Sequence, residues 1–255
     1  MTTQRTEGSL FTNIINGIAT IEFGHPASNS FPSVLLDRLT EELHQISNNK
    51  NVAVVILKSE GNRAFCAGAS FDELVAIDNL EDGEKFFSGF ANVINAMRTC
   101  SKIIIGAVQG KTVGGGVGLA AACDYVLATE SASIKLSELT IGIGPFVIEP
   151  AVTRKVGLAG LSELSLAATQ WKTAYWAKEK GLFANVFETQ DELTKETLIL
   201  AEKLASYNPQ ALEEMKRVLW KGTENWNQLL IDRAEISGKL VLSDFTKKAL
   251  SKFKK

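Results

Sequence analysis

Histidine and cysteine are scarce in this chain, with two of the first and three of the second in 255 residues. His25 and His44 with Cys66, Cys100 and Cys123 offer no CxxC pair and no spacing that fits a zinc site. No histidine stands near Cys66 in the sequence to activate it, so a nucleophilic thiol is not expected there. Cys123 lies in an apolar, small-residue run and reads as a core thiol. An excess of either charge is also missing. Lys and Arg number 27 against 29 Asp and Glu, a net charge of −2, which lacks the basic footprint of a nucleic-acid binder. No run of 18 apolar residues occurs, and Met1 to Ser9 is polar without a hydrophobic segment. Those absences argue against a membrane span and a secretory signal, and a cytoplasmic setting follows by default. One stretch is locally basic, Lys247-Lys248 through Lys252, Lys254 and Lys255. It reads as a solvated helix end, with attraction to an anionic ligand as the functional alternative.

What is present is an ordinary α/β composition, 45% hydrophobic and 22% charged, in a chain long enough for a large core. Phe11 to Ile15 and Ile18 to Phe23 flank Asn16-Gly17, a hairpin signal. Pro32 fits the first turn of a helix that runs to about Ser47, with Leu35, Leu39, Leu43 and Ile46 at helical spacing. Val52 to Leu57 and Ile103 to Val108 read as buried strands, and Tyr125 to Ala128 as a further one. Gly83 to Arg98 reads as a helix, with Phe86 and Phe87 expected in the core. This alternation predicts a mainly parallel, covered sheet. From Ala151 the pattern is almost all helix: Asn208-Pro209 ends one helix and starts the next, and the last runs from about Asn225 towards Leu250.

Two glycine-bearing turns follow strands. One is Thr112-Val113-Gly114-Gly115-Gly116-Val117-Gly118, ahead of a small-residue helix. Bare backbone at a helix start presents N–H groups that lack internal partners, a setting suited to an oxygen that gains negative charge. The other is Ala64-Phe65-Cys66-Ala67-Gly68-Ala69-Ser70. Together they could direct two donors at one oxygen, as an oxyanion hole requires. Spacing alone leaves the alternative of two ordinary strand–helix turns.

Phe65-Cys66-Ala67-Gly68-Ala69 with Phe71-Asp72-Glu73-Leu74 resembles a glycine segment of the crotonase (enoyl-CoA hydratase/isomerase) family. So do Ile105-Gly106-Ala107-Val108-Gln109-Gly110, Val113 to Leu119 with Cys123-Asp124-Tyr125, Asn29-Ser30-Phe31, and Asn208-Pro209-Gln210-Ala211 with Lys216. Order and spacing agree from about Ile14 to Phe253. The resemblance implies an α/β, crotonase-like spiral of repeated ββα units, with residues 1–200 as the acyl-CoA-binding core. Residues 201–255 would form a helical trimerisation region, giving a homotrimer or a dimer of trimers. It implies an acyl-CoA thioester substrate, with no cofactor beyond the CoA of that substrate and no metal. The thioester oxygen would lie between the N–H groups of Ala67 and Gly115, and Ala67, Gly68, Ala69, Ser70 and Gly115 would bind substrate.

Hydratases of the family carry two glutamates. At the position matching the first, this chain has Gly118; the second matches Glu138, in Ser137-Glu138-Leu139-Thr140. One carboxylate suffices to move a proton between two carbons but is poorly equipped to activate water and also protonate C2. The bulky Ile143-Gly144-Pro145-Phe146 stretch resembles the 3,2-enoyl-CoA isomerases, which keep only the second glutamate. The expectation is therefore 3-enoyl-CoA to 2-enoyl-CoA isomerisation by Glu138. The alternatives are a hydratase or another lyase such as a decarboxylase, and a non-catalytic acyl-CoA binder. Glu149 is a candidate additional acid/base, against the plainer reading of a carboxylate at a helix N-terminus. Ser70 stands where the family has Asp, and Asp72 and Glu73 read as a helix start, with Glu73 also a candidate to face the pocket.

Overall fold

The computed structural model describes residues 7–252. The expected N-terminal polar stretch and the basic tail at Lys254 and Lys255 lie partly outside these residues. The strands are β1 (Ser9–Ile15), β2 (Ile18–Gly24), β3 (Val54–Ser59), β4 (Ala64–Cys66), β5 (Ile103–Val108), β6 (Lys111–Val113), β7 (Tyr125–Thr129), β8 (Ser133–Lys135), β9 (Lys172–Thr173) and β10 (Asn185–Phe187). The helices are α1 (Ser33–Asn48), α2 (Phe71–Ala76), α3 (Leu80–Thr99), α4 (Gly115–Ala122), α5 (Glu149–Leu166), α6 (Ala174–Glu179), α7 (Gln190–Ala205), α8 (Pro209–Leu219), α9 (Trp226–Val241) and α10 (Asp244–Ser251).

A six-stranded sheet has the order β1-β2-β3-β5-β7-β10, and a second sheet the order β4-β6-β8-β9. β1 and β2 form the antiparallel hairpin expected at Asn16-Gly17, where both residues have positive φ. The large-sheet strands β2, β3, β5, β7 and β10 pair in parallel. All of β5 is buried, because helices cover both faces of the large sheet there. β3/β4, β5/β6 and β7/β8 each give one strand to the large sheet and the next to the small one, followed by helix. This is the expected repeating ββα spiral.

Helix boundaries follow from capping. α3 starts three residues before the expected Gly83 because the Asn79 side chain accepts the Asp82 N–H. α7 opens with a Thr189/Glu192 capping box, and Asn208 caps α8 with Pro209 in its first turn. The expected single last helix is two helices: the chain breaks after Val241, and the Ser243 side chain caps α10 by accepting the Thr246 N–H. α7 packs on the large sheet through Leu193 and Ala201, so the boundary expected near residue 200 falls inside a helix. Among the described residues no helix is long and apolar enough to cross a membrane.

A buried ion pair locks the helical second half to the sheet. Lys216 Nζ donates to Asp124 Oδ2 at 2.6 Å, with the two side chains 3% and 2% exposed. Ile104 N donates to the same oxygen at 2.7 Å, Trp220 Nε1 to Oδ1 at 2.7 Å, and Lys155 Nζ to the Asp124 carbonyl at 2.9 Å. α5, α8 and β5 are thus joined at one residue just beyond the end of α4. Removing one partner of such a pair strands a buried charge. Lys216→Met is expected to lower unfolding free energy by about 3 kcal/mol in urea denaturation, and the Asp124→Asn, Lys216→Met pair by less than the sum of the single changes.

Candidate active site

β4, β6 and β8 lie side by side and parallel in the small sheet, with Cys66 opposite Thr112 and Val113 opposite Lys135. Parallel neighbours in register end at one edge, so the segments that follow them meet there. Those segments are Ala67-Gly68-Ala69, Gly114-Gly115 and Ser137-Glu138, and all three line one cavity of about 360 Å³. The structure therefore brings together Ala67, Gly68, Ala69, Gly115 and Glu138.

The approach is close. A Cβ placed on Gly68 would lie 3.5 Å from Gly115 N, and one on Gly116 would lie 2.6 Å from the Cys66 carbonyl. Gly114 has φ +53°, and a Cβ there would stand 2.9 Å from Glu138 Oε1. Gly114 N donates to the Lys135 carbonyl at 3.0 Å. Gly115 begins α4, and among the described residues no backbone carbonyl takes its N–H. Gly115 lines the cavity together with Glu138, and a free donor at a helix start can hold an oxygen that gains charge.

Glu138 opens a short 3-10 turn, Glu138–Ile141. Its Oε2 is buried and has no hydrogen-bond partner among the described residues. Burial pushes its carboxyl up to about 7, with the backbone N–H groups of Glu138 and Ser137 offsetting part of the effect. It is the one carboxylate among the described residues that line the cavity. A carboxylate with one unpartnered oxygen, poised near neutrality, can take up a proton and release it again. Much of the remaining lining is apolar, including Leu74, Phe86, Phe87, Phe90, Phe146 and Ile148. Phe86 and Phe87, expected as core, are core and cavity wall at once.

Other expected residues do not reach the cavity. Ser70 is buried and caps α2, its Oγ accepting the Glu73 N–H at 3.3 Å, and it does not line the cavity. Glu73 turns away and caps α1, taking the Ser33 N–H and Oγ, the latter at 2.6 Å. Glu149, the candidate second acid, does not line the cavity either. Its Oε1 accepts from Thr153 Oγ1 at 2.8 Å, and its Oε2 lies 3.6 Å from Arg233. It is the first residue of α5, where a carboxylate is favoured by the helix dipole. Cys66 is buried and its thiol is pushed up to about 12 by burial, so it is inert. Ala67 N–H, the second expected donor, is taken by the Ser28 carbonyl at 3.1 Å.

Gly118 is explained by its neighbour. A Cβ at this position would lie 2.3 Å from Ile148 Cγ2 and 2.7 Å from Ile148 Cβ. The space where a side chain at 118 would begin is filled by Ile148, which also lines the cavity. Ile148 lies 30 positions away in the chain, and no spacing rule links the two. Lys135 is a further lining residue that the sequence reading missed, its Nζ 4.6 Å over the Trp171 ring.

A family model described as Enoyl-CoA hydratase/isomerase matches residues 13–254. The 2,3-dehydroadipyl-CoA hydratase of Escherichia coli (strain K12) is 32% identical over 203 residues, which cover 78% of this chain and 76% of that one. The peroxisomal Delta(3,5)-Delta(2,4)-dienoyl-CoA isomerase of Arabidopsis thaliana is 27% identical over 236 residues, covering 87% and 81%. The crystal structure of enoyl-CoA hydratase from Bacillus halodurans superposes with a TM-score of 0.89 at 21% identity, over 95% of this chain and 99% of that one, and has the same fold.

The contact at Gly118 makes a direct prediction. Gly118→Glu alone is expected to destabilise the protein by about 3 kcal/mol in thermal or urea unfolding, through overlap with Ile148. Adding Ile148→Gly is expected to recover at least half of that loss.

Proposed function

The chain belongs to the enoyl-CoA hydratase/isomerase family, and from that premise we propose that it converts a 3-enoyl-CoA to the 2-enoyl-CoA, with Glu138 as its single acid and base. Glu138 takes the proton from C2, and the electron pair passes into a dienolate whose charge rests on the thioester oxygen. The free N–H of Gly115 holds that oxygen, whereas the Ala67 N–H, expected beside it, is taken by the Ser28 carbonyl. The protonated Glu138 then returns the proton at C4, leaving the double bond between C2 and C3. One proton leaves one carbon and arrives at another, so no water, oxidant or cofactor beyond the substrate's own CoA enters the balance. Loss of one oxyanion donor costs roughly 100- to 1,000-fold in kcat in other enzymes, so the Gly115 N–H carries much of the rate on this reading.

The observation that carries the proposal is Ile148 packed over Gly118. It fills the space in which the first glutamate of a hydratase would begin and leaves Glu138 as the one carboxylate lining the cavity among the described residues. A raised Glu138 carboxyl, at about 7, suits a group that must serve in both forms within one turnover. Hydration is the second reading, favoured by relatives that carry hydratase names. It asks one carboxylate to activate water and protonate C2 as well. We also infer a trimer or a dimer of trimers formed through the C-terminal helices. Exposed Met215 and Val218 on α8 support it.

Incubation with 3-enoyl-CoA is expected to give 2-enoyl-CoA, and 2-enoyl-CoA is expected to give little 3-hydroxyacyl-CoA. Rapid hydration would sink the isomerase reading. Glu138→Gln is expected to lower kcat by about 100- to 10,000-fold while leaving the dissociation constant of a saturated acyl-CoA within about threefold. Unchanged turnover in that variant removes Glu138 from the mechanism.

A further inference from the structure

The polar side chains that line the cavity come from one stretch of chain, with a single exception among the described residues. Lys135, Ser137, Glu138 and Thr140 belong to β8 and the turn after it, whereas Ser237 belongs to α9. Ser237 is 1% exposed. Val241, one turn further along α9, packs with Leu74, Phe86 and Ile143, three of the apolar residues that line the cavity. The hydroxyl therefore enters the cavity from an apolar part of its lining.

A close helix crossing brings it there. A Cβ on Gly83 of α3 would lie 3.0 Å from Gly238 Cα, and one on Gly238 would lie 2.9 Å from Glu84 N. Bare backbone on both helices carries Ser237, the residue before Gly238, to the Gly83 end of α3. Phe86, Phe87 and Phe90 follow Gly83 at helical spacing, and all three line the cavity. Phe90 meets the start of α4, since a Cβ on Gly115 would lie 2.4 Å from Phe90 Cζ. Gly83 and Phe90 are seven residues apart on α3, about 10 Å along the axis at about 1.5 Å per residue. α3 thus spaces the Ser237 end of the cavity from the Gly115 N–H.

The Ser237 hydroxyl has hydrogen-bonding capacity to spare. Among the described residues its one bond is a donation to the Arg233 carbonyl, one turn back on the same helix, at 3.4 Å. A good O–H to O contact is shorter, about 2.5 to 3.0 Å. Both acceptor positions on Oγ are unused.

We propose that Ser237 is a specificity-determining residue that hydrogen-bonds a hydroxyl on the outer part of the acyl chain, so that a hydroxylated acyl-CoA is preferred over its plain alkyl counterpart. The inference rests on the proposed function for placing the thioester at Gly115. A chain hydroxyl donates to Ser237 Oγ and accepts its proton in turn. A carboxylate is a poorer match. The one cation among the described lining residues is Lys135 on β8, its ammonium over the Trp171 ring, and a buried charge without a partner is costly. With bonds of about 1.5 Å at near-tetrahedral angles, about 10 Å spans roughly six to eight extended carbons, which puts the hydroxyl on the outer half of a medium-length chain.

Saturated esters test this without turnover. Dissociation constants of octanoyl-CoA and of its 6-, 7- and 8-hydroxy forms are measured by calorimetric titration for the wild type and for Ser237→Ala. The tightest hydroxy ester is expected to bind the wild type at least about threefold more tightly than octanoyl-CoA. In Ser237→Ala the ratio of the two constants is expected to move by about tenfold against the hydroxy ester, which then buries an unpaired hydroxyl. A wild type that binds octanoyl-CoA more tightly than all three hydroxy esters overturns the proposal. So does a ratio that moves by less than about twofold, as it would if Ser237 only packed α9 on α3 and both affinities changed in parallel. If the ratio behaves as expected but 3-enoyl-CoA is not isomerised, the proposed reaction fails and the role of Ser237 stands. If isomerisation proceeds and the ratio does not move, the role of Ser237 alone fails.

Discussion

Gly114 and the Glu138 carboxylate approach so closely that a Cβ on Gly114 would come within 2.9 Å of Oε1, and Gly116 stands as close to the Cys66 backbone. The cavity depends on this contact. It lets a helix start, a strand end and a carboxylate meet at one point, and any side chain at 114 would push the acid off the helix terminus. The small sheet makes the approach repeatable, because β4, β6 and β8 run parallel and stop at the same edge. The Asp124–Lys216 pair holds the far end of α4, so the helix whose N-terminus faces the cavity is anchored at both ends. Local backbone geometry, sheet topology and a buried charge pair converge on the position of the Gly115 N–H.

The chemistry follows from what this packing leaves out. Ile148 lies over Gly118 and occupies the room that a second carboxylate requires. Glu138 keeps one buried oxygen without a partner, and burial lifts its carboxyl towards neutrality. Glu149, one residue beyond Ile148, is drawn to Thr153 and Arg233 instead. The cavity therefore holds a single carboxylate beside one helix start, with aromatic and aliphatic side chains making up much of its lining. The proposed isomerisation rests on this single carboxylate.

Much of this was legible in the sequence, for physical reasons. Apolar β-branched runs alternating with helical spacing suit a sheet covered on both faces, so the strands and helices follow from pattern, while the ββα spiral came from the family resemblance. The two glycine turns stood out because close approach needs bare backbone, and Glu138 was singled out by the family resemblance. What escaped was contact at long sequence separation. Nothing in the segment around Glu149 says that Ile148 reaches Gly118, or that Glu149 turns to Arg233 on α9. Ser70 looked like a pocket residue and caps α2 instead, while Glu73 stands in the first turn of α2 as its helix-start reading had it and also caps α1. The last helix looked continuous because its apolar spacing passes through Leu242, whereas the Ser243 cap that splits it is a local hydrogen bond. The Ser28 carbonyl on Ala67 is a backbone contact, invisible to any reading of side chains.

The central claim is that one carboxylate, Glu138, does all the proton transfer, and the pH dependence of kcat/KM for a 3-enoyl-CoA tests it most directly. Glu138 must be ionised to take the C2 proton, and its raised carboxyl is protonated below about 7. The account predicts that kcat/KM rises with unit slope through one ionisation near 7 and then stays level up to about pH 9. A bell-shaped profile, with a second ionisation on the alkaline side, would mean that another protein group must hold a proton for turnover and would contradict the account.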